Sequence, residues 1–190
     1  CLGLLEEVRK GEAEGCDAYV IACFGDPGLD AAREIARGPV IGVAEAAMRA
    51  ASYLATGFSV VTTLRRTVVI AEHLVDKYGM RSHCRKVRAS ELAVLELEDP
   101  RSNAYQSILQ ECRAALDEDG SGAIVLGCAG MADLCLRLQD ELGVPVVDGV
   151  GAAVVTAEGL VRARLGTSKR GDYAFPLPKV YTGALSCMAP

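Results

Sequence analysis

A short apolar run that ends in a thiol and a small-residue turn decides the fold of this chain: Tyr19-Val20-Ile21-Ala22-Cys23-Phe24-Gly25. Its apolar residues are consecutive rather than alternating, which is typical of a strand buried on both faces. A helix pattern at residues 29–37, closed by Gly38, follows the run. A buried strand that leads into a helix predicts a parallel sheet covered by helices.

The same pattern occurs a second time, as Ile124-Val125-Leu126-Gly127-Cys128-Ala129-Gly130. Each copy continues through a helix, a strand that begins at Pro39 or Pro145, and an alanine-rich helix. We interpret this order as an internal duplication. More chain precedes the thiol in the second copy than in the first, so we expect further strands of the first copy to precede Cys1 in a longer protein.

Strands and helices alternate along the chain, which predicts the α/β class. The duplication predicts two pseudo-symmetric domains with open parallel sheets, the first formed by residues 1–56 plus 150–190 and the second by residues 57–149. The predicted helices cover residues 2–15, 29–37, 44–55, 65–78, 102–117, 129–142 and 150–164. The predicted strands cover residues 17–23, 39–42, 58–62, 85–89, 123–127 and 144–147.

Composition excludes several functional classes. The 190 residues are 51% hydrophobic and 24% charged with a net charge of −5, which supports a buried core and argues against disorder. Aromatic residues make up 5% and Trp is absent, so the sequence does not favour nucleic-acid binding. No run of about 18 apolar residues occurs, and we expect no membrane-spanning helix.

The cysteine pattern favours free thiols. The eight cysteines include no Cys-x-x-Cys pair, and only two histidines are present, so the sequence does not favour a zinc site. We therefore expect a reducing, cytoplasmic environment and no metal or cofactor. Cys84 and Cys187 are predicted to be loop residues.

Cys23 and Cys128 occupy matched positions, each at the end of a strand and before a helix. Ligands of open parallel sheets bind at the carboxyl ends of the strands, and a helix start lowers the pKa of a thiol. One thiolate that removes a proton, opposite a thiol that delivers one, would invert a carbon atom without a metal or cofactor. Backbone N–H groups at the helix starts could hold the anionic intermediate. Buried structural thiols remain the alternative.

Other candidate residues surround these thiols. Thr62 and Thr63 end the strand at residues 58–62, and their hydroxyls could point into the same cleft or cap the following helix. Asp26 could orient Cys23 or a ligand, although an Asp before Pro-Gly is more often a turn residue.

At these residues the sequence resembles the aspartate/glutamate/hydantoin racemase superfamily, particularly its hydantoin and allantoin racemases. The similar stretches are VIACFGDPGL at residues 20–29, GVAEAA at 42–47, FSVVTT at 58–63 and LGCAGM at 126–131. The resemblance implies two pseudo-symmetric domains with the active site between them, cofactor-independent racemisation through two cysteines that match Cys23 and Cys128, and a homo-oligomer. The family's first strand ends in an Asn-Pro-Asn-type loop that contacts substrate, and nothing here matches that loop.

The residues after each thiol favour a flat ring as substrate. Amino-acid racemases of the superfamily have polar residues there, whereas this chain has Phe24-Gly25 and Ala129-Gly130-Met131. We therefore expect inversion at C5 of 5-monosubstituted hydantoins. Phe24 would supply an apolar wall, Thr62 and Thr63 would lie near the polar edge of the ring, and backbone N–H groups would frame it at Gly25, Asp26, Ala129, Gly130 and Met131. Racemisation of allantoin, aspartate or glutamate remains an alternative, as does non-catalytic small-molecule binding on the same fold.

Overall fold

The computed structural model describes residues 1–97, 102–180, 182, 183 and 186. Its helices are α1 (Leu2–Glu14), α2 (Leu29–Ile35), α3 (Val43–Leu54), α4 (Arg65–Lys77), α5 (Ala104–Asp117), α6 (Cys135–Leu142) and α7 (Gly149–Arg162). Its strands are β1 (Tyr19–Ile21), β2 (Val40–Gly42), β3 (Phe58–Thr62), β4 (Cys84–Ala89), β5 (Ala123–Leu126) and β6 (Val146–Val147). Short 3-10 helices cover Val94–Leu97, Ala129–Leu134 and Gly171–Tyr173.

The strands form two sheets among the described residues. Strands β1 and β2 form a two-stranded sheet, and a four-stranded sheet has the order β4-β3-β5-β6. Every neighbouring pair in the larger sheet is parallel, with Phe58 opposite Ala123 and Ile124 opposite Val146. The predicted α/β class with parallel strands is therefore confirmed.

The chain divides into two compact units. The first comprises Cys1–Tyr19, Gly28–Val40 and Glu158–Pro190, and the second comprises Val20–Pro27 and Ile41–Ala157. The domain boundaries expected from the duplication, 1–56 plus 150–190 and 57–149, stay a prediction.

The first unit is held by hydrogen bonds from distant parts of the chain. The Tyr19 hydroxyl donates to Glu12 at 2.9 Å, and the Lys169 ammonium donates to the backbone carbonyl of Arg33 at 2.6 Å. Helix α1 ends at Gly15 in a left-handed conformation with φ of 81°, as the sequence predicts for a helix-ending glycine.

The second unit contains the four-stranded sheet and its core. Strands β3 and β5 are buried along their whole length, which explains why their sequences are continuously apolar or small. Helices α5 and α6 cover this sheet with a cluster of buried apolar side chains, which includes Val61, Ile108, Leu109, Leu126, Met131 and Leu138.

The structure corrects several local expectations. The helix predicted at residues 129–142 is a 3-10 helix up to Leu134 and becomes α-helical only at Cys135. Cys84 is not a loop residue but the buried first residue of β4. The predicted loop position of Cys187 lies outside the described residues. In the part of the chain that the structure describes, no helix is both long and apolar enough to cross a membrane.

Candidate active site

Cys23 lies in a tight turn after β1. The turn is closed by the backbone N–H of Asp26, which donates to the carbonyl of Cys23 at 2.9 Å. The thiol-bearing residue is exposed, and α2 begins only at Leu29. The sequence prediction of a small-residue turn between Cys23 and a helix that begins at residue 29 is therefore confirmed.

Cys128 follows β5 after a single residue, Gly127, and directly precedes the 3-10 helix Ala129–Leu134. Its carbonyl accepts a hydrogen bond from the backbone N–H of Met131 at 3.1 Å. The Cys128 side chain is partly buried, in contrast to the exposed Cys23.

One pocket of the second unit contains both cysteines. Its volume is about 370 Å³, and its walls are mostly apolar. A glycine flanks each thiol: a Cβ added at Gly25 would lie 3.9 Å from Cys23 Sγ, and one at Gly130 would lie 3.8 Å from Cys128 Sγ. The lining residues are Ala22, Cys23, Phe24, Gly25, Thr62, Thr63, Thr67, Ile70, Ala71, Val94, Gly127, Cys128, Ala129 and Gly130.

The surroundings of Cys128 disfavour its thiolate. Burial raises the pKa of the Cys128 thiol, the backbone N–H of Gly130 opposes this rise, and negative charge on Cys23 adds to it. The pKa of Cys128 is therefore raised, whereas its position before a helix predicts a lowered pKa. The pocket therefore favours the neutral thiol form of Cys128.

Thr62 joins the carboxyl ends of two neighbouring strands at this pocket. Its hydroxyl donates to the carbonyl of Gly127 at 3.1 Å and lies 3.0 Å from the hydroxyl of Thr67. A Cβ added at Gly127 would lie 2.8 Å from Cβ of Thr62, so the close approach of the strands requires glycine there.

Two residues expected at the ring lie outside the pocket lining. The backbone N–H groups of Asp26 and Met131 donate to the carbonyls of Cys23 and Cys128, so each already has a backbone partner, and the expectation that they frame a ring stays a prediction. The Met131 side chain is fully buried in the core cluster. The Asp26 carboxylate accepts hydrogen bonds from the Tyr78 hydroxyl and from the backbone N–H groups of Ala44 and Glu45. Burial raises its pKa, and these bonds oppose the rise.

The other proposed site residues lie together. The pocket is lined by eight of the residues expected at the site: Cys23, Phe24, Gly25, Thr62, Thr63, Ala129, Gly130 and Cys128. Six further lining residues were not predicted from the sequence: Ala22, Thr67, Ile70, Ala71, Val94 and Gly127. Ile70 and Ala71 are apolar positions of a helix, and nothing in their spacing distinguishes them from residues that pack on a sheet.

Within the described ranges, no cluster of three or more His, Cys, Asp or Glu side chains could hold a metal ion.

A sequence model of the Asp/Glu/Hydantoin racemase family matches residues 1–157. The chain belongs to this family. It is an isomerase of the racemase class, and a small molecule is its substrate.

Hydantoin racemases and allantoin racemases are among the proteins that this racemase resembles. It is 56% identical over 185 residues to a hydantoin racemase of Rhizobium meliloti, a match that covers 97% of this chain and 77% of the relative. The solved allantoin racemase from Klebsiella pneumoniae is 55% identical with a TM-score of 0.95, over 99% of this chain and 77% of that one. The allantoin racemase from Pseudomonas fluorescens is 44% identical with a TM-score of 0.85, over 88% and 71%.

Proposed function

We propose that this racemase inverts C5 of 5-monosubstituted hydantoins by proton transfer between Cys23 and Cys128, without a cofactor. The observation that carries the proposal is that both thiols, each flanked by a glycine, line one mostly apolar pocket. The similarity to the hydantoin racemase of Rhizobium meliloti supports this substrate class.

The reaction needs one thiolate and one thiol. The thiolate on one face takes the C5 proton, and the electron pair of the broken C–H bond moves into the adjacent carbonyl to form an enolate. The opposite thiol then donates its proton to the other face of C5, and its S–H electron pair remains on sulfur. The product is the other enantiomer, and the two cysteines have exchanged their protonation states.

Backbone N–H groups of small residues beside the thiols would stabilise both the thiolate and the enolate. The backbone N–H of Gly130 stabilises the Cys128 thiolate. The backbones of Gly25 and Ala129 border the pocket, and their N–H groups are proposed to hold the enolate oxygen. Phe24, Ile70 and Val94 would contact the C5 substituent and favour an apolar one.

The test is exchange of the C5 proton in deuterated water. A single enantiomer of 5-benzylhydantoin should lose optical rotation and take up deuterium faster than in buffer alone. Cys23→Ala and Cys128→Ala should each slow racemisation by on the order of 10²- to 10⁴-fold, because each removes one proton-transfer group. Cys16→Ala, which changes an exposed cysteine outside the pocket, should leave the rate unchanged.

Two results would contradict the thiol mechanism. One is normal racemisation by either pocket-cysteine variant. The other is loss of activity with a metal chelator, because the proposed transfer uses thiols alone.

Allantoin is the second candidate substrate, supported by the similarity to the Klebsiella pneumoniae allantoin racemase. Allantoin is itself a hydantoin with a polar ureido group at C5, so the same proton transfer applies to it. The ratio of kcat/KM for 5-benzylhydantoin to that for allantoin decides between them. A ratio above one supports hydantoins with an apolar C5 substituent as the substrates. A ratio well below one indicates that allantoin, with its polar substituent, is the substrate.

Aspartate and glutamate fit the pocket less well. Among the described lining residues none is charged, so an amino acid's ammonium and carboxylate would lack a charged side-chain partner there. A non-catalytic binding protein on the same fold would show no exchange of the C5 proton above the buffer rate. The expected homo-oligomer stays a prediction.

A further inference from the structure

The N-terminus of α3 is capped by a side chain from the turn that carries Cys23. The backbone N–H groups of Ala44 and Glu45 each donate to a carboxylate oxygen of Asp26, both at 3.1 Å. Helix caps usually come from the residue next to the helix. Here the cap comes from a residue that lies well before the helix in the sequence and directly after the pocket turn.

The second copy of the duplication caps its helix in the ordinary way. Asp148 immediately precedes α7, and its carboxylate accepts hydrogen bonds from the N–H groups of Val150 at 2.7 Å and Gly151 at 2.9 Å. The residue that matches Asp148 in the first copy is Gly42, directly before α3. The first copy therefore lacks a local capping side chain.

Gly42 leaves the space that Asp26 fills. A Cβ built on Gly42 would overlap the carboxylate of Asp26. The backbone of Gly42 is extended, with φ of −82° and ψ of 136°, so conformation alone does not require glycine there. The absence of a side chain at residue 42 instead lets a carboxylate from the Cys23 turn reach the helix.

Two further bonds complete this connection. The Tyr78 hydroxyl, just beyond the end of α4, donates to Asp26 at 2.6 Å. The backbone N–H of Asp26 donates to the carbonyl of Cys23 at 2.9 Å, and Asp26 adopts a left-handed φ of 41°. The carboxylate is thus bonded to α3 and to Tyr78, while the backbone of the same residue closes the turn.

The Cys23 turn lies between short secondary-structure elements. Strand β1 has only three residues and ends before Cys23, and α2 starts at Leu29. The turn also contains Gly25, which adds backbone freedom. Cys128, by contrast, directly precedes a 3-10 helix.

We propose that Asp26 is a positioning residue that holds Cys23 on the wall of the pocket by capping α3 and accepting the Tyr78 hydrogen bond. This inference rests on the proposed function, because it takes Cys23 as one of the two proton-transfer groups. It adds that the α3 cap serves the geometry of the thiol as well as the stability of the helix.

The test separates these two roles by moving the cap. In the double variant Asp26→Ala/Gly42→Asp, a local Asp would cap α3 as Asp148 caps α7, in the space that the Asp26 side chain leaves. We expect the urea midpoint to recover most of what Asp26→Ala loses. We expect kcat to stay at least about tenfold below that of the unchanged chain with a smaller change in KM, because the released turn misplaces Cys23.

Alkylation by iodoacetamide provides a readout that does not depend on turnover. Cys16 and Cys23 lie on one tryptic peptide, residues 11–33, so fragment-ion mass spectrometry compares the two thiols within the same molecule. The Cys23 to Cys16 labelling ratio should change at least threefold in the double variant. Asp148→Ala removes a cap of the same kind and should leave that ratio unchanged.

Wild-type kcat and labelling ratio in the stably folded double variant would overturn the proposal. If the double variant does not fold, Tyr78→Phe decides, because it removes one bond to Asp26 and keeps the cap. A threefold or larger change in kcat and labelling supports the positioning role, and no change refutes it. Cys23→Ala distinguishes failure of the positioning role from failure of the proposed function. Normal racemisation by that variant refutes the proposed function itself.

Discussion

The protein environment disfavours the ionised form of Cys128. Partial burial and the neighbouring Cys23 both raise the pKa of the thiol, and the N–H of Gly130 offsets only part of the rise. The physical reason is that a thiolate loses solvation in an apolar pocket. At neutral pH Cys128 is therefore mainly a thiol, ready to donate a proton.

This raised pKa predicts the pH dependence of one reaction direction. The enantiomer that Cys128 deprotonates needs the thiolate in the enzyme–substrate complex, so its kcat should rise with pH and level off only above the ordinary thiol pKa of about 8.5. Initial rates at saturating concentrations of each enantiomer of 5-benzylhydantoin between pH 6 and 10, corrected for buffer racemisation, test this. A plateau already reached at neutral pH for both enantiomers would contradict it.

The apolar wall predicts substrate preference at the level of single side chains. Ile70 is 46% exposed and lines the pocket, whereas its helix neighbour Val69 is 50% exposed and is not among the lining residues. Ile70→Ala should lower kcat/KM for 5-benzylhydantoin relative to 5-methylhydantoin by roughly 5- to 10-fold, because apolar contact area is lost. Val69→Ala is the matched control, and an equal effect there would refute this role for Ile70.

At the scale of elements, the close approach of β3 and β5 builds one side of the pocket. Val61 pairs with Leu126, which brings Thr62 beside Gly127 at the carboxyl ends of the two strands. A methyl group at Gly127 would lie 2.8 Å from Cβ of Thr62 and 2.9 Å from its Cα. These atoms belong to the strand itself and cannot move aside cheaply.

Gly127→Ala is therefore predicted to be destabilising. The free energy of unfolding should fall by about 1–3 kcal/mol, and racemisation should fall with it, because the strands must separate to admit the methyl group. Urea unfolding and the exchange assay measure the two effects. Gly159→Ala, at a helical glycine with no atom within 4 Å of an added Cβ, should instead be neutral or slightly stabilising.

Most elements could be predicted because their signals are local. The pattern from Phe58 to Thr62 predicts β3 at its observed bounds, and Gly15 marks the end of α1. The helix type at residues 129–134 could not be predicted from periodicity, since apolar spacing does not separate a 3-10 turn with Gly130 from an α-helical one.

At the scale of the whole molecule, buried thiols link stability to pH. Burial raises the pKa of Cys112 to about 12 and that of Cys84 to about 11. In the unfolded chain both thiols ionise near the ordinary value of about 8.5. Their contribution to stability is therefore complete below that pH and is lost as the pH rises toward the folded-state values.

We predict alkaline destabilisation that begins well below pH 11. The free energy of unfolding should fall above pH ~9 by up to ~1.4 kcal/mol per pH unit for each buried thiol. Urea unfolding at pH 7.5, 9 and 10 measures the slope. Cys112→Ala should remove the contribution of one thiol to this slope. An unchanged slope in that variant would contradict the role of Cys112 in the alkaline destabilisation.

The sequence by itself determined the α/β class, the order of the elements, the racemase resemblance and the pairing of Cys23 with Cys128, because these depend on local patterns and on a duplication visible along the chain. Only the tertiary structure decided that Asp26 caps α3, that Ile70 and Val94 line the pocket, and that Cys128 has a raised pKa. These properties arise from groups that are distant in sequence and meet only on folding. No local sequence pattern predicts that the space beside Gly42 is filled by the Asp26 carboxylate from another turn.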